Sequence, residues 1–186
     1  ADLPGTYSLR ARSAEEAVAR DFLCFAKPDA AVVVCDATCL ERGLLLVMQV
    51  LETCPKALLC VNLLDEAEKR HITIDLPRLE QCLGIPVVGV AARSGKGLAQ
   101  LHERLHALLH EDAPSPCPVP IPEQLEEPLQ LVQAALPKNG NGLPPLWTAK
   151  RLLEPEPELH EKIAAHLGIS LETGEIADAL RQAQCL

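Results

Sequence analysis

Three short stretches of the sequence carry residue types that could bind a ligand. They are Asp2-Leu3-Pro4-Gly5, Asn62-Leu63-Leu64-Asp65 and Ala91-Ala92-Arg93-Ser94-Gly95-Lys96-Gly97. The second and third each follow an apolar run. In a parallel α/β sheet, ligands bind beyond the carboxyl ends of the strands. Residues that directly follow predicted strands are therefore the first candidates for a binding site.

The first stretch suits a magnesium ion and a terminal phosphate. A carboxylate such as Asp2 is a ligand that Mg²⁺ accepts, and a glycine such as Gly5 lets a backbone N–H approach an anion closely. Asp-x-Pro-Gly is also the sequence of an ordinary turn. Taken alone, the turn is the better explanation.

The second and third stretches suit recognition of guanine. The Asp65 carboxylate can accept two hydrogen bonds from the N–H groups on one edge of that base, a pattern that adenine lacks, and Asn62 can brace a neighbouring loop. A capping aspartate on the next helix explains Asp65 equally well. The loop 91–97 could press a backbone N–H towards the guanine oxygen, although a plain loop entering a helix explains it better when it is taken alone.

The elements that must position these stretches alternate between apolar runs and amphipathic segments. Continuous runs predict strands at 30–35, 56–62 and 85–90, and helical patterns occupy 13–26, 40–52, 75–83 and 97–110. A continuous run such as 30–35 is typical of a strand that is buried on both faces. The alternation predicts βαβ units around a parallel sheet, and thus an α/β fold.

The second part of the chain differs in composition. Prolines cluster between 112 and 122, which predicts a stiff connection. Beyond it, helical patterns without strands occupy 123–136, 146–153, 158–167 and 171–183. We therefore predict an α/β domain over 1–110, a Pro-rich linker over 111–122 and a small all-α domain over 123–186.

Charge and cysteine usage limit the possible functions. The net charge of −9 disfavours nucleic acid as a partner, because phosphate neutralisation needs a basic face. No apolar run reaches the roughly 18 residues that cross a bilayer. The eight cysteines contain no Cys-x-x-Cys pair, so we expect reduced, buried side chains rather than disulfides or a zinc site.

Taken together and in this order, the three stretches are similar to the last three nucleotide motifs of the Ras-like GTPase superfamily. Further stretches resemble one of its families, ferrous-iron transport protein B. They are Asp2-Leu-Pro-Gly-Thr-Tyr-Ser-Leu9, Ala17-Val-Ala-Arg-Asp-Phe-Leu23, Pro28-Asp29, Cys35-Asp-Ala-Thr38, Leu40-Glu-Arg42, Asn62-Leu-Leu-Asp-Glu-Ala-Glu-Lys69 and Leu83-Gly-Ile-Pro-Val-Val88. The resemblance covers 1–110, while 120–186 resembles the helical domain that follows the GTPase domain in that family. It implies a Ras-like P-loop GTPase fold, partial because its N-terminal strands and P-loop are absent, followed by a small all-α domain.

The resemblance also implies a role for each stretch. Asp2 would lie near the magnesium shell without binding the ion directly, and Gly5 would sense the γ-phosphate as part of a switch. Asn62 and Asp65 would select guanine, and Ala91, Ala92 and Arg93 would form the loop behind the base. Leu3, Pro4, Leu63 and Leu64 would also belong to the nucleotide-binding stretches. The implied cofactors are GTP or GDP and Mg²⁺.

At the level of the whole protein, the resemblance implies a GTP-binding module that regulates ferrous iron uptake at the cytoplasmic face of the bacterial inner membrane. The implied partners are the guanine nucleotide, the membrane permease domain of the same parent chain, other proteins of the iron-uptake system and a second copy of the chain. Two alternatives stay open. One is a catalytically silent GTPase-like binding module, and the other is another small GTPase of the superfamily.

Three departures from the superfamily pattern bear on activity. Ala91 stands in place of the usual Ser, so we expect a less well braced loop. Thr6 stands where Ras-like proteins have a catalytic Gln, so we expect slow hydrolysis. No Gly-x-x-x-x-Gly-Lys-[Ser/Thr] occurs. We expect the phosphate loop and its strand upstream of Ala1, the permease downstream of Leu186, and exposed apolar sheet edges as a result.

The affinity of the chain alone follows from the guanine end of the site. Two charge-assisted hydrogen bonds to Asp65 contribute about 3–6 kcal/mol, whereas micromolar affinity needs about 8 kcal/mol. We therefore expect weak nucleotide binding or none, and whether the chain acts as an enzyme stays open.

Two groups of residues could bind metal outside these stretches. His102, His106 and His110 recur every four residues, a spacing that can hold a transition metal. Glu154, Glu156 and Glu158 alternate with prolines, and we expect them to face solvent. A solvated surface is the better explanation of both groups.

Overall fold

A three-stranded parallel sheet forms the core of the first part of the chain. The computed structural model describes residues 1–10, 13–110, 116–138 and 141–186. The strands β1 (Ala31–Asp36), β2 (Ala57–Asn62) and β3 (Val87–Gly89) lie in the order β1-β2-β3. Their bounds differ by at most two residues from the predicted runs. The predicted parallel sheet is thus confirmed.

Helices connect the strands and make up the rest of the described chain. They are α1 (Ala14–Phe25), α2 (Leu40–Thr53), α3 (Leu64–Lys69), α4 (Leu76–Leu83), α5 (Leu98–His110), α6 (Glu123–Ala135), α7 (Pro145–Leu153), α8 (Pro157–Leu167) and α9 (Glu175–Ala183). The sequence did not predict α3, which is short and has no side-chain N-cap. No helix of the described residues is long and apolar enough to span a bilayer.

The chain divides into two compact units, Ala1–Pro118 and Val119–Leu186. The first contains the sheet with α1 to α5, and the second contains α6 to α9. The predicted linker at 111–122 falls partly outside the described residues, because 111–115 are not described. Its stiffness stays a prediction.

Strand β2 is buried on both faces of the sheet. Its side chains alternate in direction, so Leu59 joins a cluster with Val47 of α2, and Leu58 joins a second cluster with Leu108 of α5. All four side chains are at most 4% exposed. The sheet is therefore covered by helices on both sides at its centre.

The side chains of strand β1 are less buried than the sequence predicted. Its residues Val33 and Cys35 are buried, but Val32 and Val34 are 40% and 61% exposed. Among the described residues, β1 pairs only with β2, and Val32 and Val34 line a cavity of about 690 Å³ beside it. The sequence pattern cannot show which strand lies at the edge, so the prediction of burial on both faces is wrong here. The expected exposed apolar edge is present.

Glu80 of α4 fixes β3 in place. Its carboxylate accepts a hydrogen bond from the Val87 backbone N–H at 3.0 Å and pairs with Arg104 of α5 at 2.5 and 2.6 Å. Burial by itself would raise the pKa of Glu80, but the bond from Val87 and then the hydrogen bond and charge of Arg104 hold it below its ordinary value. The ionised carboxylate thus joins α4, β3 and α5.

The helical unit has a core of its own around Trp147. This side chain is 4% exposed, and Val132, Ile163 and Leu159 are at most 1% exposed. Helix α6 packs on α7 and α9, and α7 also contacts α8. The predicted all-α character of this part is confirmed, with bounds that differ most at the start of α9.

Two smaller expectations are correct only in part. All eight cysteines are free, as expected, but Cys39, Cys82, Cys117 and Cys185 are exposed. Burial raises the pKa of the Cys35 thiol to about 11, with contributions from the thiols of Cys60 and Cys39, so Cys35 stays protonated.

Among the proline-flanked glutamates, Glu158 is exposed, but Glu154 is half-buried and pairs with Arg151 at 2.9 Å. Arg151 holds Glu154 close to the surface of the helical unit.

Candidate functional site

The candidate site lies at the carboxyl edge of the sheet. The strands are parallel and in register, with Asp36 opposite Asn62 and Val61 opposite Gly89. Their carboxyl ends therefore meet at one edge. The loops that follow β2 and β3 contain two of the three stretches that the sequence singled out.

Asn62 joins these two loops. Its Oδ1 accepts a hydrogen bond from the Leu63 backbone N–H at 2.8 Å and another from the Ala92 N–H at 3.1 Å. The backbone adds a further link, because the Leu64 N–H donates to the Val90 carbonyl at 3.1 Å. The brace that the sequence suggested is therefore present.

Leu63 turns the chain from β2 into α3. It has φ 64° and ψ 33°, a left-handed conformation that costs an L-residue about 1–2 kcal/mol. The side chain of the next residue, Leu64, packs close to Gly89, where an added Cβ would lie 2.5 Å from Leu64 Cδ1. This close fit and the bonds to Asn62 hold the strained turn in place.

Asp65 lies in the first turn of α3 and is half-buried. The N-cap is Leu63, so the alternative that Asp65 caps this helix is wrong. No hydrogen bond to its carboxylate is recorded from any residue that the structure describes. Two carboxylate oxygens are therefore available to a ligand at the strand ends.

The loop after β3 is closed by its own bonds. The Ala91 N–H donates to the Lys96 carbonyl at 3.0 Å, and the Ser94 hydroxyl donates to the Ala91 carbonyl at 3.1 Å. Gly97 has φ 83°, and a Cβ there would lie 2.3 Å from the Gly89 carbonyl oxygen. We expected weaker bracing because Ala91 replaces Ser. The structure shows other contacts that brace this loop.

The backbone donors of this loop are not equally available. Ala91 and Ala92 donate to Lys96 and Asn62. Within the described part of the chain, no partner is recorded for the Arg93 N–H. Arg93 is also exposed. Of the three predicted loop residues, Arg93 is therefore the one whose backbone N–H can still donate to a ligand.

The first stretch is anchored elsewhere. Asp2 and Gly5 are exposed and line the cavity beside β1, and no hydrogen bond among the described residues links them to the other two stretches. The segment that follows is held on α2. Gln49 Oε1 accepts from the Leu9 N–H at 2.7 Å and from the Ser8 hydroxyl at 3.1 Å. A single glutamine within an apolar helical pattern gave no signal of this contact.

Asp36 is a further residue at this edge that the predicted site omitted. Its carboxylate accepts hydrogen bonds from the Thr38 N–H at 2.7 Å and from the Thr38 hydroxyl at 2.8 Å. These bonds, the backbone one first, hold the pKa of Asp36 below its ordinary value. Asp36 therefore closes the turn after β1, and the stretch Cys35-Asp-Ala-Thr38 carried that signal.

The described residues contain no group of three or more His, Cys, Asp or Glu side chains that could hold a metal ion. Asp2 is exposed, and no hydrogen-bond partner in the described chain is recorded for it. Such a carboxylate fits the outer shell of a hydrated Mg²⁺ ion, which usually keeps several waters. It does not form an all-protein metal cage.

The parallel sheet and its strand-end loops define a Ras-like GTPase fold, partial on the β1 side. A family model described as "Ferrous iron transport protein B" matches residues 1–105. The chain therefore belongs to the ferrous iron transport protein B family.

Individual relatives agree with this assignment. The chain is 46% identical over 93 residues to the Fe(2+) transporter FeoB of Helicobacter pylori, which is 50% of this chain and 14% of that protein. It is 42% identical over 105 residues to a fusion of Fe(2+) transport protein A and Fe(2+) transporter FeoB from Porphyromonas gingivalis, which is 56% of this chain and 12% of that protein. The matched region is thus a small part of each transporter.

Solved structures cover more of the chain. The cytosolic domain of T. maritima FeoB in a GDP form superposes with a TM-score of 0.81 at 30% identity, over 98% of this chain and 72% of that one. Its GMPPNP form gives the same values. The FeoB G-domain of Methanococcus jannaschii gives a TM-score of 0.57 at 40% identity, over 59% of this chain and 69% of that one. The α/β unit followed by a helical unit is therefore the architecture of FeoB cytosolic domains.

Proposed function

We propose that the chain is the base-recognising part of a guanine-nucleotide switch that regulates ferrous iron uptake. The main support for this proposal is the Asn62 side chain, which holds the loops after β2 and β3 together. The Asp65 carboxylate next to it remains available to accept hydrogen bonds from a ligand. The GDP and GMPPNP forms of the related T. maritima domain support a guanine nucleotide as the ligand.

Base selection follows from the donors and acceptors at this edge. Asp65 accepts two hydrogen bonds from the ring N–H and the exocyclic amino group of guanine. The Arg93 N–H donates to the guanine carbonyl oxygen. Adenine has an acceptor at N1, no amino group at C2 and an amino donor at C6, so it leaves both Asp65 and Arg93 without partners. An unpaired group of this kind costs about 1–3 kcal/mol, which favours guanine.

The phosphate end involves the first stretch. The backbone N–H of Gly5 would bind the terminal phosphate, and Asp2 would hold a hydrated Mg²⁺ ion through its water. Magnesium would neutralise charge that develops on the phosphates. Thr6 lacks the side-chain amide that orients the attacking water in Ras-like proteins, and its hydroxyl donates to the Ser8 carbonyl at 2.6 Å. Slow hydrolysis by the intact parent protein is therefore expected.

At the level of the whole transporter, the nucleotide state of this module gates a membrane permease in the same parent chain. The module acts at the cytoplasmic face of the inner membrane. A catalytically silent module would bind the nucleotide in the same way and regulate without turnover. The engagement of Thr6 favours this as the second candidate.

The test titrates fluorescent GDP and ADP in magnesium buffer against this chain, alone and joined to the upstream phosphate loop that the family resemblance implies. GDP should bind and ADP should not, and Asp65→Asn should abolish the preference. Glu68→Gln is the matched control, because it removes the same charge from an exposed position of α3. Equal binding of GDP and ADP, or an Asp65→Asn variant that keeps its preference, would contradict the proposal. GTP hydrolysis by the same preparation separates the switch from the silent module.

A further inference from the structure

Helix α5 presents a row of histidines that the nucleotide site does not use. The face that packs on the sheet consists of Leu98, Leu101, Leu105 and Leu108. His102, His106 and His110 are all exposed. They therefore contribute nothing to the core, and their regular spacing needs another explanation than packing.

Two of these histidines lie side by side. The ring centroids of His106 and His110 are 4.3 Å apart, with an angle of 44° between the ring planes. Residues four apart on a helix lie one above the other. Within the described residues, no hydrogen-bond partner is recorded for either ring. Their nitrogen lone pairs are thus available, and a small rotation of each ring can direct one nitrogen of each to a common point.

The position on the helix favours a cation. His110 is the last residue of α5, where the unsatisfied carbonyls give the helix its negative end. The chain as a whole carries a net charge of −9. A divalent ion next to His106 and His110 is therefore attracted both by the helix end and by the protein.

We propose that His106 and His110 form a two-imidazole binding site for a borderline divalent transition metal ion of the Ni²⁺, Cu²⁺ or Zn²⁺ type. Imidazole suits these ions, whereas Mg²⁺ and Ca²⁺ prefer oxygen ligands. Two histidines at i and i+4 also bind zinc on the helices of metalloproteases. No third protein ligand is found among the described residues. Water completes the coordination, and the affinity is correspondingly modest.

A site of two imidazoles binds different divalent metal ions with different affinities. Affinity increases from Co²⁺ to Ni²⁺ to Cu²⁺, following the general order for nitrogen ligands. Mg²⁺ at millimolar concentration does not compete. Because an imidazole must be neutral to bind a metal, acidification releases the ion.

The test is a calorimetric titration of the full chain with Ni²⁺. The four exposed cysteines are first capped with N-ethylmaleimide, since thiolates would bind the same ions. We expect one ion per chain, an affinity at least about tenfold weaker in His106→Gln and in His110→Gln, and less than about twofold weaker in His102→Gln. Circular dichroism checks that each variant keeps its helices, which is expected because all three positions are exposed.

His102→Gln is the critical control. It removes a histidine of the same exposed face but leaves the close pair intact. An equal loss in all three variants would show general attraction of metal to the histidine face and overturn the two-residue site. An unchanged affinity in His106→Gln and His110→Gln would overturn it as well. Broadening of the His106 and His110 ring signals by Ni²⁺ in NMR spectra, with His102 less affected, supports it independently.

Discussion

Removal of the Asn62 side chain tests how the candidate site is held together. In Asn62→Ala, the N–H groups of Leu63 and Ala92 lose the oxygen that accepts them at 2.8 and 3.1 Å. Each such bond contributes about 0.5–1.5 kcal/mol net, and both donors belong to exposed residues, where water replaces the lost acceptor in part. We therefore expect a loss of about 1–2 kcal/mol, concentrated in the two loops.

The assay is native-state hydrogen exchange of the Ala92 amide, supported by urea unfolding. A loss of 1–2 kcal/mol in local stability increases exchange about 5- to 30-fold. Amides in the centre of β2, such as that of Leu59, are protected by the sheet and should change less. Asn62→Asp is the matched control, because it keeps an oxygen acceptor at the same place. It should keep Ala92 protected, even though the added charge lies opposite Asp36 in the sheet register.

The reasoning is refuted if the Ala92 amide exchanges equally fast in the wild-type chain and in Asn62→Ala. That result would mean that the bonds within the 91–97 loop suffice to hold it. Faster exchange throughout the sheet would show a global effect and would also contradict the local role of Asn62.

Three further predictions concern the surroundings of the site. In Gly97→Ala, the new Cβ would lie 2.3 Å from a backbone oxygen at φ 83°, so the free energy of unfolding in urea should fall by more than about 3 kcal/mol. Gly95 has a similar φ of 78° but open space around it, so Gly95→Ala should lower the free energy of unfolding by only about 1–2 kcal/mol. Because the folded-state pKa of Glu80 is lowered, its contribution is present above the ordinary value of 4.5 and lost as pH falls below it. The stability difference between the wild-type chain and Glu80→Gln should therefore shrink between pH 6 and pH 3, and a constant difference would contradict the shift. Val34→Thr should reduce self-association in light scattering and change stability by less than about 0.5 kcal/mol, while Val33→Thr, at a 6% exposed position, should destabilise the chain clearly.

The sequence predicted the central elements well because their signals are local. Continuous apolar runs end in polar or small residues at all three strands, so the bounds of β2 agree with the structure to within one residue. Three helices of the second unit begin at a proline: Pro122 is the N-cap of α6, and Pro145 and Pro157 are the first residues of α7 and α8. Proline at the first turn of a helix is a strong local signal.

Other features could not be read from local patterns. The exposure of Val32 and Val34 depends on which strand lies at the edge, and this is a property of the whole sheet. Helix α3 follows Leu63, whose left-handed conformation is unusual for a leucine and is imposed by tertiary contacts. Gln49 acts through a partner 40 residues away in sequence. These are contacts between distant parts of the chain, which hydrophobic periodicity does not report.

The two ends of the candidate site differ in what holds them. At the base end, the side-chain hydrogen bonds of Asn62 and the backbone hydrogen bonds of Leu64 and Ala91 all join residues between 61 and 97. The first stretch lines the cavity beside β1, and the segment that follows it is held by Gln49 of α2 through Ser8 and Leu9. If guanine binds as proposed, two hydrogen bonds to Asp65 would contribute about 3–6 kcal/mol, below the roughly 8 kcal/mol of micromolar binding. On the proposed function, this chain supplies the selectivity for guanine, and contacts with the phosphates supply most of the affinity.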